Sequence, residues 1–196
     1  MKEIKLKLTL TEEMLGMSPA SAEVYEEFIA SNAPDAPTRK QEVEDYGVEQ
    51  VAEKGMTVFP RLEDGTPFLY DYQIRGMFKD VCGMLRRVDG TESKKVKAYK
   101  KEIDGLIFVT PRKIPIYVAG DIGKCQRPLR AQTMQGERVS LACSETVPEG
   151  STIGFTVKLL LDSHEPLLDE WLNYGAVRGL GQWRNSGKGT YTYEVN

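Results

Sequence analysis

Gly179-Leu180-Gly181-Gln182-Trp183-Arg184-Asn185-Ser186-Gly187-Lys188-Gly189 runs straight into Thr190-Tyr191-Thr192-Tyr193-Glu194-Val195. Four glycines in this stretch allow backbone with φ > 0 and close approach to a ligand or another segment. The residues that follow alternate Thr and Tyr, the pattern of a strand. The residues before, from about Glu165 to Val177, place Leu167, Leu168, Trp171, Leu172 and Val177 at helical spacing, with Asp162 or Ser163 as cap. The order is helix, glycine loop, strand. That order excludes two phosphate-binding loops. A P-loop needs G-x-x-x-x-G-K-[ST] opening a helix, but Gly181 to Gly187 is one residue too long and Gly189 stands where the Ser or Thr belongs. A dinucleotide fingerprint needs a third glycine where Arg184 stands, and again a helix after it.

Working back from this loop, residues 3–10 alternate Ile4, Leu6, Leu8 and Leu10 against Lys5 and Lys7, predicting a half-buried strand. Residues 20–55 predict two acidic amphipathic helices, one after Ser21 and one from Thr38 to about Lys54, inserted in the compact fold. Residues 56–70 predict a hairpin around Glu63-Asp64-Gly65. A core helix follows from about Tyr72 to Val88, with Ile74, Met77, Phe78, Val81, Met84, Leu85 and Val88 on one face. Residues 89–104 are polar and basic, a loop or an exposed helical arm. Strands are expected at Leu106–Val109, Ile114–Val118, Arg138–Ala142 and Ile153–Leu161. Without the insertion this reads βαββαβ: an α+β, ferredoxin-like (RRM-like) split βαβ sandwich forming one domain over 1–196.

The chain has 196 residues, 40% hydrophobic and 28% charged, an ordinary globular composition. It has no apolar run near the ~20 residues that span a bilayer, so no membrane partner is expected. Cys82, Cys125 and Cys143 are odd in number and widely spaced. Free thiols in a reducing cytoplasm are expected, with neither disulfide frame nor metal site. Net charge is -3 but unevenly spread. Residues 1–55 carry about twice as many acids as bases. Residues 75–130 reverse this, with Arg75, Arg86, Arg87, Lys94, Lys95, Lys97, Lys100 and Lys101 among the basic residues. A basic stripe of this kind is the footprint of a polyanion.

Three segments resemble the RAMP superfamily, the RNA-binding backbone and processing subunits of CRISPR–Cas systems. The opening strand with Leu8-Thr-Leu-Thr-Glu-Glu-Met-Leu15-Gly16 is similar to a family strand and turn ending in apolar-Gly. Phe68-Leu-Tyr-Asp-Tyr-Gln-Ile-Arg75-Gly76-Met-Phe-Lys79 is similar to the family's lead into its first helix. The terminal loop resembles the family's G-φ-G-x₅-G-φ-G, with Gly179, Gly181, Gly187 and Gly189 in the glycine positions. Together these cover about a third of the chain. The chain departs from the pattern where Lys188 replaces an apolar residue, where Glu12 and Glu13 stand in place of the usual Pro and small polar residues, and in the acidic 20–55 region.

The resemblance implies a partner that is single-stranded RNA or DNA, a CRISPR effector complex, or both, and no cofactor. Gln182-Trp-Arg-Asn-Ser-Gly and Arg127-Pro-Leu-Arg130-Ala-Gln also resemble small phage proteins, which adds a second reading: an anti-CRISPR inhibitor whose acidic 12–55 region mimics nucleic acid. In the loop, Arg184 and Lys188 either meet phosphates or pair with acids, and Trp183 either stacks on a base or packs on the sheet. Tyr191 and Tyr193 share a strand face, in the core or against bases. Enzymatic activity is not expected; were there any, it would be that of an endoribonuclease. His164 reads as a helix-start residue, and nothing singles out Asp35 or Asp71 as a metal ligand. Glu12, Glu13 and Glu170 would form a carboxylate set only if the fold gathered them.

Overall fold

A computed structural model describes residues 1–19, 56–133 and 136–196, with backbone alone at 19, 129–133 and 136–141. The described strands are β1 (Lys2–Leu10), β2 (Met14–Leu15), β3 (Ser18–Pro19), β4 (Thr57–Val58), β5 (Phe68–Tyr70), β6 (Ile107–Thr110), β7 (Lys113–Tyr117), β8 (Gly123–Thr133), β9 (Gly136–Val147), β10 (Thr152–Leu159) and β11 (Tyr191–Val195). The described helices are α1 (Asp71–Leu85), α2 (Tyr99–Leu106) and α3 (Glu165–Arg178). The class is α+β with mainly antiparallel sheets. The expected insertion at 20–55, with its helices from Ser21 and from Thr38, lies outside the described residues. The chain divides into two compact units. One holds Met1–Met14, Pro60–Asp121 and Val147–Asn196; the other holds Leu15–Phe59 and Ile122–Thr146.

The first unit is built on a sheet of order β11-β1-β10-β7-β5, with β6 also paired to β10. Period-two alternation fixes its register: Leu6 lies opposite Phe155 and Leu8 opposite Ile153. All four are buried, while Lys5 and Lys7 point the other way and are exposed. A slip of one residue would exchange these two sets, which is why the register is specific. Helices α1 and α3 pack together beside this sheet. They contribute Ile74, Met77, Phe78 and Val81 from one helix and Leu167, Leu168, Trp171 and Leu172 from the other. The Phe78 and Trp171 rings meet at 5.7 Å. Each such large apolar side chain contributes about 2 kcal/mol through burial.

Three local expectations need correction. Helix α1 stops at Leu85, so Val88 lies beyond it and is exposed. The Thr91 hydroxyl donates to the carbonyls of Leu85 at 2.9 Å and Val88 at 3.0 Å, closing the helix end. Val177 is 78% exposed, because the inward stripe of α3 runs from Leu168 through Leu172 to Gly175. A Cβ at Gly175 would collide with the Tyr191 hydroxyl, so that position must stay small. Neither Asp162 nor Ser163 caps α3. A short 3-10 turn, Asp162–His164, precedes it, and His164 occupies the cap position without a side-chain bond.

The basic segment 89–104 is folded onto the unit. It forms a 3-10 turn at Ser93–Lys95 and then enters α2, with Ser93, Val96 and Ile103 buried. The expected hairpin at 56–70 is present in reduced form: Arg61 bridges Pro67 around a turn whose Gly65 has φ +84°. In the second unit, β8 and β9 form a long hairpin, and β9 pairs with β4 in parallel at Thr57–Ser144. The Arg138–Ala142 strand lies inside β9; β8 is a strand that sequence reading missed. Gly16 sits so close to Val58 that a Cβ would stand 2.6 Å from its carbonyl carbon, which accounts for glycine there.

Candidate nucleic-acid interface at the glycine loop

The loop leaves α3 at Gly179 and returns to the sheet through β11. Its stem is two backbone segments in close contact: the Leu180 N–H donates to the Gly189 carbonyl at 2.8 Å, and the Gly189 N–H donates to the Glu13 carbonyl at 2.9 Å. A Cβ on Gly179 would overlap the Lys188 carbonyl, and one on Gly189 would overlap the Leu180 carbonyl. The outer glycines therefore permit the crossing. The inner pair, Gly181 and Gly187, have φ +90° and +77° and turn the chain. Leu180, the apolar residue between the first two glycines, is buried as an anchor.

Between the inner glycines, Trp183 adopts the left-handed conformation (φ +59°), an uncommon state for a large side chain. The turn is held by Ser186 N–H to the Trp183 carbonyl at 2.9 Å and Gly187 N–H to the Arg184 carbonyl at 3.0 Å. Arg178, Gly181, Gln182, Trp183, Arg184, Asn185 and Ser186 line a cleft of about 530 Å³. Asp80, from α1, accepts from Arg184 Nη1 at 2.9 Å and Arg178 Nε at 3.2 Å. Two guanidiniums on one carboxylate leave one net positive charge at the cleft.

Both loop cations are engaged with acids, the second of the two alternatives that the sequence leaves open. The Arg184 side chain is 28% exposed in its pair with Asp80. Lys188 lies 2.8 Å from Glu13 and 3.6 Å from Glu12, 25% exposed. Hydrogen bonding to Glu13 holds the Lys188 pKa above its ordinary value. Lys188 therefore forms one arrangement with Glu12 and Glu13. Arginine differs from lysine here. Each guanidinium has five N–H donors, so one accepted by Asp80 leaves others for an oxyanion. Part-exposed pairs of this kind are worth only ~1 kcal/mol and yield to a better anion.

The other expected basic residues are dispersed. Arg75 is tied to Asp71 at 2.9 Å, and Lys79 to Asp104 at 2.5 Å. Arg86 lies over the Tyr99 ring at 5.1 Å. Lys94 pairs with Asp89, and Lys95 with Glu92. Arg87, Lys97, Lys100 and Lys101 are exposed and make no ion pair among the described residues. Their segment is fastened to α3 by Glu170, whose carboxylate accepts from the Glu92 N–H at 2.8 Å and the Ser93 N–H at 3.0 Å. The Trp171 indole donates to the Ser93 hydroxyl at 2.9 Å. Glu170 and Arg178 lie about 12 Å apart along α3, which brings the basic segment and the cleft onto one helix. Glu170 is therefore a tether and does not join Glu12 and Glu13.

Asp71 is locked between Arg75 and Arg112. His164 is buried with its Nε2 3.5 Å from Glu102. Tyr191 is core, and burial raises its pKa; Tyr193 donates to Asn173 at 2.9 Å. Sequence reading missed Arg178 and Asp80. Arg178 had a signal, a cation in the last helical turn before a C-terminal glycine; Asp80 had none.

No family model and no curated protein matches the chain. Among solved structures, a chain in the cryo-EM structure of the type III-B Cmr-beta bound to cognate target RNA is similar over 99% of this chain and 61% of its own length, with 13% identity and a TM-score of 0.54. The two chains share a fold. A chain of a type IV-B CRISPR complex is similar over 100% of this chain and 90% of that one, with 14% identity and a TM-score of 0.47. No helix among the described residues is long and apolar enough to cross a membrane.

Proposed function

We propose that this is a non-catalytic RAMP-like protein that binds single-stranded RNA or DNA at the glycine loop, with the basic segment extending the contact. The sheet order, with β1 between β10 and β11 and the hairpin strands beyond β10, supports a ferredoxin-like reading of the first unit. The observation that carries the binding proposal is the Arg178–Asp80–Arg184 cluster at the mouth of a cleft that also holds Trp183. A net positive charge, several spare guanidinium donors and an indole suit one phosphate and one stacked base. Arg87, Lys97, Lys100 and Lys101 supply the unpaired charge further along the strand. Fluorescence anisotropy with RNA and DNA oligonucleotides of about 15 nucleotides, at about 50 and 200 mM salt, tests it. Arg178→Ala and Arg184→Ala should each weaken binding about five- to tenfold and flatten the salt dependence by about 0.7 per lost phosphate contact. Unchanged affinity in both variants removes the cleft from the site. The anti-CRISPR reading draws on the acidic 12–55 region and makes a different forecast: capture of an effector complex by a wild-type protein that binds neither oligonucleotide.

A further inference from the structure

The six-stranded sheet has a second face, turned away from the apolar core. Its residues follow from the register. On β1 they are Glu3, Lys5, Lys7 and Thr9; on β10, opposite, Lys158, Thr156, Gly154 and Thr152. Phe108 stands across from Lys158 and Tyr117 across from Thr152. Phe108 is 40% exposed and Tyr117 65%, although each lies in a strand whose alternate residues are buried. Midway, Gly154 lies opposite Lys7, and a Cβ built on it would meet nothing within 4 Å. Lys113 shares the Tyr117 side of β7 and is exposed, with its ammonium 5.4 Å from the ring of Phe68, which the register places on the same side and which is buried.

Four lysines (Lys5, Lys7, Lys113 and Lys158) thus face outward with two acids, Glu3 and Glu194. The pairs Lys158–Glu3 at 2.8 Å and Lys7–Glu194 at 3.7 Å are surface pairs and hold little energy. The balance is positive. Phe108 and Tyr117 are separated by six residues of β10, about 20 Å, so they serve different bases of one strand. Packing against a second sheet would bury Lys5 and Lys7 on the β1 side of this face, where no apolar side chain lies beside them to offset that cost. Charge and exposed rings both suit a flexible polyanion that carries flat aromatic groups.

We propose that this face is a second binding surface for single-stranded nucleic acid, with Phe108 and Tyr117 as stacking platforms and the four lysines following the phosphates. It rests on observations independent of the glycine loop. The probe is a single-stranded RNA of about 15 nucleotides carrying 4-thiouridine, crosslinked by ultraviolet light to the full chain and mapped by peptide mass spectrometry, with anisotropy in parallel. Adducts on the peptides holding Phe108 and Tyr117 are expected, and they should persist in Arg184→Ala. Phe108→Leu with Tyr117→Leu keeps the surface apolar but removes both rings, and should weaken binding about fivefold or more. Should that double variant lose its native circular-dichroism spectrum, Lys5→Gln with Lys7→Gln takes its place and is expected to weaken binding and lower the salt dependence. Adducts confined to 179–189, with wild-type affinity in the sheet variants, overturn the proposal and leave the loop reading standing. Absence of any oligonucleotide binding overturns both. A protein partner lost in the double variant while RNA affinity is unchanged reassigns the face and likewise overturns it.

Discussion

Replacing Gly189 by alanine isolates the close crossing on which the loop depends. Gly187 is the internal control, since both residues have left-handed backbone, at φ +72° and +77°. An alanine at either position costs about 1 kcal/mol for that conformation. At Gly187 the added methyl meets nothing within 4 Å, so the cost ends there. At Gly189 it overlaps the Leu180 carbonyl oxygen and lies 2.8 Å from the carbonyl carbon. Backbone has to give way. The hydrogen bonds at risk are Leu180 N–H to Gly189 and Gly189 N–H to Glu13, each worth about 1 kcal/mol net. The sum is about 3 kcal/mol for Gly189→Ala against about 1 kcal/mol for Gly187→Ala. Urea unfolding followed by tryptophan fluorescence and far-ultraviolet circular dichroism measures both, with midpoints compared at constant slope. Equal destabilisation of the two variants, within about 0.5 kcal/mol, would refute the assignment of the outer glycines to backbone contact.

Ser93→Ala removes the acceptor of the Trp171 indole and a donor to Glu170, and should cost about 2 kcal/mol in the same unfolding assay. Glu170→Gln places a carboxamide against donors that want an acceptor; faster hydrogen exchange at the Glu92 and Ser93 amides, with α3 unaffected, is the expected signature. Alkaline pH should destabilise the fold. Lys188 has a folded pKa raised above 10.5, mainly by its bond to Glu13, and Tyr191 one raised above 10.0, mainly by burial. For both groups the stability is fully present below the unfolded pKa and is lost as pH rises through the folded one. Thermal melts of Glu13→Gln and Tyr191→Phe should therefore fall less steeply than wild type above about pH 10; parallel curves would contradict this.

The strands and core helices were legible where hydrophobic period and environment agreed. Residues 3–10 alternate because one side of β1 is core, and Ile74 through Val81 repeat helically because one side of α1 is core. Helix ends were misread where the deciding contact lay elsewhere: Thr91 closes α1, and Gly175 carries the α3 stripe because Tyr191 needs the room. The glycine loop was legible in position and order. Its charges were not, because Asp80, Glu12 and Glu13 are remote in sequence from Arg184 and Lys188, and no local pattern announces a pairing made by tertiary structure. The open sheet face was half legible: Lys5 and Lys7 followed from alternation, but Phe108 and Tyr117 joined them only through the register with β10.

The placement of β1 bears on how the molecule is made. It is the first of these strands to leave the ribosome, yet its neighbours, β10 and β11, are translated last among them. Until they arrive, Leu6, Leu8 and Leu10 have no permanent cover, and the nascent chain carries an unpaired apolar strand while the residues between β1 and β10 are made. Such distant pairing makes for slow closure and for dependence on holding factors. Production at lower temperature, or with added chaperone, should accordingly raise the soluble yield more than any change of the glycine loop.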